Sequence, residues 1–149
     1  MDSTVVEAEI SRLSDLEAIR ELARRYAHCV WQKDVDGAVA LFTEDGEMDT
    51  GDRPPIRGRG QLLEVYRTML AGAVFQPFVH NHVVDLGGGD ATGTCYLDLR
   101  ASVGGRSMIG SGYYQDHYVC DDGRWKFRSR KLIMDYFVPL DEGWTQRDG

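Results

Sequence analysis

From Leu16 to Val30 the apolar residues Leu16, Ile19, Leu22, Ala23, Tyr26, Ala27 and Val30 recur at three- and four-residue spacing, while Arg20, Glu21, Arg24 and Arg25 fill much of the other side. That period lays one apolar stripe along a helix. Ser14-Asp15-Leu16-Glu17 has the Ser-x-x-Glu form of a capping box, so the pattern predicts a helix over about 15–33. Asp34 is placed to cap a short second helix carrying Val39, Leu41 and Phe42. A polar break with Pro54-Pro55, Gly58 and Gly60 precedes a third helix through Leu62, Leu63, Val65, Tyr66, Met69 and Leu70.

After Gly72 the period shortens to that of strands. Four β-rich runs follow, at about 77–86, 91–103, 106–120 and 124–137, separated by Gly87-Gly88-Gly89-Asp90, Gly104-Gly105 and Asp121-Asp122-Gly123. These separators are hairpin chemistry. A short strand near Gly46–Thr50 is expected to join the sheet. Three helices followed by a long antiparallel meander predict an α+β fold, with the helices on one face of a curved sheet and a small-molecule pocket in the mouth between them.

Composition narrows the function classes. The 149 residues make one domain, 42% hydrophobic and 28% charged, with a net charge of -7. An acidic surface argues against nucleic acid and anionic membranes as partners. No apolar run approaches a membrane span, and the opening MDSTVVEAEI lacks a basic segment followed by an apolar one, so the chain reads as cytoplasmic. Cys29, Cys95 and Cys120 are isolated and read as buried reduced thiols.

The run AIRELARRYAHCVWQKDVDGAVALFTEDGEMD resembles the opening of SnoaL-like proteins of the nuclear transport factor 2-like superfamily. DGRWKFRSRKLIMDYFVPL is similar to the close of scytalone dehydratase and lindane dehydrochlorinase, and NHVVDLGGGDATGTCYL fits the same pattern. The resemblance implies a cone-shaped α+β barrel over 1–149, with a core at about 14–140, a flexible tail at 141–149 and an apolar pocket inside the cone. Its members include dehydratases, isomerases, polyketide cyclases, dehydrohalogenases and proteins with no known activity, and no cofactor is expected for this chain. It also implies a homodimer or homotrimer, for which the outer sheet face is the expected contact.

In dehydratase-like members a helix-one aspartate orients a strand histidine that acts as general base. By resemblance the aspartate position falls on Trp31 and the histidine position, four residues before Asn81, on Pro77. Two further pocket positions fall on Thr50 and Tyr114, and another on Arg130.

Within Gln76–Leu86 two of the four histidines flank one asparagine. Strand alternation puts His80 and His82 on one side and Pro77, Val79 and Asn81 on the other. If the family register holds, the odd set faces the pocket. A bulge after Pro77 would reverse this and make His80 a displaced general base. A metal is not expected, because His-x-His supplies two ligands where zinc needs three or four.

The strand 91–103 sorts Ala91, Gly93, Cys95, Leu97, Leu99 and Ala101 to one side and Thr92, Thr94, Tyr96, Asp98, Arg100 and Ser102 to the other. Periodicity turns the polar side to water. The family register turns it to the pocket, where Asp98, Arg100 and Arg130 would form a cluster that calls for pairing or an anionic ligand. Asp49 resembles the general-base region of ketosteroid isomerases, one residue out of step, and His28 sits on a face next to Trp31.

The resulting expectation is a protein that binds a small apolar or cyclic molecule through Tyr26, Trp31, Asn81, Asp98, Tyr114 and Arg130. It acts either as a lyase or isomerase with His80 as base, as a binding protein without chemistry, or as an association module.

Overall fold

The computed structural model describes residues 2–145. Helices α1 (Ser3–Gln32), α2 (Val35–Val39) and α3 (Arg59–Gly72) accompany strands β1 (Phe42–Asp49), β2 (Ile56–Arg57), β3 (Ala73–Leu86), β4 (Asp90–Val103), β5 (Arg106–Asp121) and β6 (Arg124–Pro139). The strands form one curved, unclosed sheet in the order β2-β1-β6-β5-β4-β3. Neighbours are antiparallel except β1 and β6, which run parallel. The α+β fold is therefore as the pattern predicts and the cone as the resemblance implies, with β1 and β2 placed between α2 and α3.

Several boundaries differ from the pattern: α2 ends at Val39, so Leu41 and Phe42 lie beyond it and Phe42 opens β1 ahead of the expected Gly46, and the two-residue β2 was not expected. Helix α1 begins at Ser3, not near residue 15; Asp2 caps it by accepting from the Thr4 N–H at 2.9 Å. Ser14 lies inside the helix, and residues 2–14 are exposed, including Val6, Ile10 and Leu13, which continue the three- and four-residue spacing back from Leu16. Strand β3 starts at Ala73, four residues ahead of Pro77. No helix among the described residues is long and apolar enough to cross a membrane. Part of the expected flexible tail, 146–149, lies outside the described residues.

The core lies between the helices and the concave sheet face. Ile19, Leu22 and Tyr26 of α1 and Leu62, Tyr66 and Leu70 of α3 pack over Cys95, Leu97, Tyr114, Tyr118 and Phe127. A fully buried side chain such as Ile19 or Leu62 contributes roughly 1.5–3 kcal/mol by leaving water.

On β4 periodicity prevails over the family register. Leu97 is 2% exposed and faces the core, whereas Arg100 is exposed and Asp98 sits on the outer face. Burying two charges there would cost several kcal/mol each, while turning Leu97 inward is favourable. Cys29 and Cys95 are buried as expected, but Cys120 near the β5 end is exposed.

Candidate functional site

The pairing of β3 with β4 slips between Val79 and His82: Val79 lies opposite Leu97, and His82 opposite Cys95. Residues 80 and 81 therefore share one partner position, which defines a bulge. Before it Phe75, Pro77 and Val79 face inward; after it His82, Val84 and Leu86 do. The two histidines consequently part company. His80 turns out, its Nε2 3.1 Å from Asp98 Oδ2, and Asn81 is exposed. His82 turns in, its Nε2 2.7 Å from the Tyr118 hydroxyl.

A second slip, between β5 and β6, pairs His117 with Ser129 and Tyr118 with Phe127. It separates Arg130, which points inward, from Arg128 on the solvent side. Arg130 is 1% exposed and forks onto Asp116 through Nε at 2.7 Å and Nη2 at 2.9 Å. Its guanidinium carbon stands 3.7 Å from the centre of the Tyr114 ring, 4.2 Å from that of Phe127 and 4.6 Å from that of Tyr26. The Tyr118 hydroxyl donates to Asp116 Oδ2 at 2.8 Å. His82, Tyr118, Asp116 and Arg130 thus form a continuous polar chain through an otherwise aromatic core. Beyond it the Tyr26 and Tyr66 hydroxyls meet at 2.7 Å. Among the described residues Arg130 Nη1 is the one buried side-chain nitrogen or oxygen without a partner.

Burial opposes the Arg130 charge, but the Asp116 carboxylate outweighs it and the guanidinium is held even more firmly protonated than usual. Burial raises the Tyr66, Tyr114 and Tyr118 phenols, which stay neutral donors. It pushes the Cys95 thiol up to about 11, and His82 down to about 4. For His82 the nearby Asp116 charge works the other way and loses, while Arg130, Arg20 and Arg24 add to the lowering.

The principal cavity, of about 660 Å³, opens between α3, the β1–β2 loop and the far ends of β3, β4 and β6. Its wall is mostly apolar, with Met69, Phe75, Leu99, Leu132, Met134 and Phe137, and also carries Thr50, Asp52, Arg53 and Lys131; Tyr66 borders it, but its hydroxyl is taken by Tyr26 in the core. The volume falls in the range of small-molecule sites.

Of the residues expected to bind ligand, Tyr26, Tyr114 and Arg130 come together, but in the closed core and not on the cavity wall. Trp31 is 38% exposed beside Phe78, at 5.3 Å between ring centres, and its indole N–H donates to the Pro77 carbonyl at 2.7 Å. Asn81, Asp98 and His80 stand outside. The expected Asp98–Arg100–Arg130 cluster does not form; Asp116 takes the place of Asp98. Thr50 does line the cavity. Asp49 accepts from the Gly51 N–H at 2.9 Å, ordering a turn, and His28 is exposed. Sequence reasoning missed Asp116 and the inward turn of His82. The signal for Asp116 was its place in the alternation Gly112, Tyr114, Asp116, Tyr118, an acid on an otherwise aromatic side.

The chain belongs to the SnoaL-like domain family, which matches residues 11–131. No curated protein sequence matches it. Its fold is similar to that of a function-unknown protein from Mycobacterium tuberculosis, with 28% identity over 84% of this chain and 74% of that one and a TM-score of 0.77. A putative scytalone dehydratase from Novosphingobium aromaticivorans is 19% identical, with 93% of each chain covered and a TM-score of 0.80. Hexachlorocyclohexane dehydrochlorinase LinA-type3 from Novosphingobium barchaimii LL02 is 19% identical over 95% of this chain and 99% of that one, with a TM-score of 0.83. At such identities the last two establish the shared fold.

Proposed function

We propose that this protein binds a small, apolar, cyclic molecule in the cavity under α3 and carries out no chemistry on it. The observation that carries this reading is the contact between Trp31 and Pro77. Resemblance puts these residues at the aspartate and histidine positions of dehydratase-like members, and the 2.7 Å bond from the indole N–H to the Pro77 carbonyl supports that alignment. Neither side chain is a base. The cavity wall offers mostly apolar area with a few polar side chains, Thr50, Arg53 and Lys131 among them, to orient an oxygen, a combination suited to a cyclic ketone or alcohol.

A second reading, a lyase or isomerase acting by proton transfer next to a carbonyl, draws on the inward-facing His82 and on the dehydratase and dehydrochlorinase among the similar folds. Its base would be His82 in place of His80, reached from the pocket beside α1 and not from the cavity under α3. The test uses 2-tetralone in deuterated buffer. Saturable binding that is lost in Met69→Trp, without deuterium uptake beyond the buffer rate, supports the binding protein. Deuterium uptake that disappears in His82→Gln supports the enzyme, and absence of saturable binding sinks the cavity assignment.

The expected self-association belongs to this proposal. Val74, Val83 and Tyr96 stand 40%, 57% and 43% exposed on the outer face of β3 and β4, an apolar surface suited to a second copy of the chain. Light scattering should then give a dimer or trimer mass that falls to the monomer in Tyr96→Glu.

A further inference from the structure

A second pocket, of about 210 Å³, lies between α1 and the bulge of β3 and shares no lining residue with the apolar cavity. Its polar wall is made by Arg20, Arg24 and His82, with the Cys95 thiol beside them and His80, whose ring turns out to Asp98, at its edge. The charges there are unevenly matched. Arg24 is bonded to Glu17 at 2.8 Å and lies 3.6 Å from Glu21, and His80 faces Asp98 at 3.1 Å. Arg20 is half-buried and has no acidic partner among the described residues. A partly desolvated guanidinium without a counter-charge is unfavourable, and an anion in the pocket would relieve it.

The hydrogen bonds behind the pocket set the state of His82. Asp116 accepts from Arg130 and from the Tyr118 hydroxyl. A carboxylate has no proton to return, so the single Tyr118 proton is committed to it and the Tyr118 oxygen accepts from His82 Nε2. The neutral imidazole therefore carries its proton on Nε2. Nδ1 is left as a lone pair with no protein partner among the described residues. From α1, Arg20 and Arg24 disfavour a second proton there, as does Arg130 on β6, while Asp116 on β5 favours it. Neutralising Arg20 removes one of the opposing charges and places an acceptor near Nδ1.

We propose that this pocket is a proton-linked site for a small oxyanion, held by the Arg20 guanidinium and by a proton taken up on His82 Nδ1. Binding and protonation then reinforce each other by linkage. The balance is simple: one proton moves from solvent to Nδ1 as one anion enters, and no covalent bond in the ligand changes.

The probes are acetate and sulfate, which keep essentially constant charge between about pH 6 and pH 8, titrated into the intact chain while the His82 ring signals are followed by NMR. The expected result is a saturable shift with either anion, about two- to threefold tighter at pH 6 than at pH 8. Acetate alone would mark a carboxylate site, and sulfate alone a tetrahedral one. Arg20→Gln should weaken binding by about tenfold or more, the loss typical of a charged hydrogen bond. Arg25→Gln removes the same charge from an exposed position on the same helix and should leave the affinity unchanged. His82→Gln should keep the pH 8 affinity and lose its pH dependence. The proposal is overturned if neither anion saturates, if Arg20→Gln and Arg25→Gln act alike, or if the affinity is the same at both pH values.

Discussion

His80 and His82 leave the same strand two residues apart, and each meets an oxygen at hydrogen-bonding distance. Their surroundings differ. The His80–Asp98 side chains are each 51% exposed, so water screens the pair and competes for both partners. His82 instead opens a chain that ends on Asp116 and Arg130, whose side chains are both 0% exposed. There the bonds have no substitute in water, and each group depends on its neighbour to remain charged or neutral. Identical residue types on one strand thus serve as a marginal surface contact and as the organising polar chain of a core.

Breaking the buried chain at its anionic centre should have the largest effect. Asp116→Ala strands the Arg130 charge among Tyr26, Tyr114 and Phe127, and should lower urea-measured stability by about 3–5 kcal/mol. Pairing it with Arg130→Met should restore most of that loss, because the uncompensated charge goes too. A single variant no more costly than a surface pair would erase the contrast between the two systems.

Acid should reveal the next largest difference. Burial holds folded His82 at about 4 against 6.5 for the free side chain. Between these values the unfolded chain binds the extra proton and the folded one does not, so this contribution is fully present above pH 6.5 and declines as pH falls to 4. The decline amounts to up to about 3 kcal/mol and should be missing from His82→Gln in urea titrations over that window. Equal slopes for the two proteins would show that His82 protonates freely in the fold.

Tyr118→Phe removes the link between His82 and Asp116 while keeping the ring, and should cost about 1–3 kcal/mol in thermal unfolding. At the outer pair Asp98→Ala should change stability by no more than about 0.5 kcal/mol, and added salt should shrink the difference further. A larger effect at Asp98 would mean that the outer face is covered, as a second copy of the chain would do.

Much of the architecture was legible along the chain because helix and strand periods are local properties. The 3.6-residue stripe from Leu16 to Val30 specified the buried face of α1, and the glycine-rich separators specified three hairpins. Alternation on β4 correctly turned Leu97 in and Asp98 out, since the cost of burying a charge is carried by each residue type. The first turns of α1 escaped notice although Val6, Ile10 and Leu13 carry the apolar period back from Leu16, because the capping-box form at Ser14 suggested a start there.

The candidate site was less legible, because the facing of its residues depends on phase. A bulge adds one residue to a strand and exchanges its inner and outer sets from that point on, at no visible cost in composition. One such slip sent His80 out and His82 in, and another sent Arg128 out and Arg130 in. Nor does any stretch of chain state that Arg130 will find Asp116, fourteen positions away on the neighbouring strand. By itself the sequence determined the elements, their order and the polarity of their faces, all set by steric and hydration preferences within a few residues. Only the tertiary structure decided which charges are buried together, because pairing and desolvation exist only once β3, β5 and β6 close over the same core.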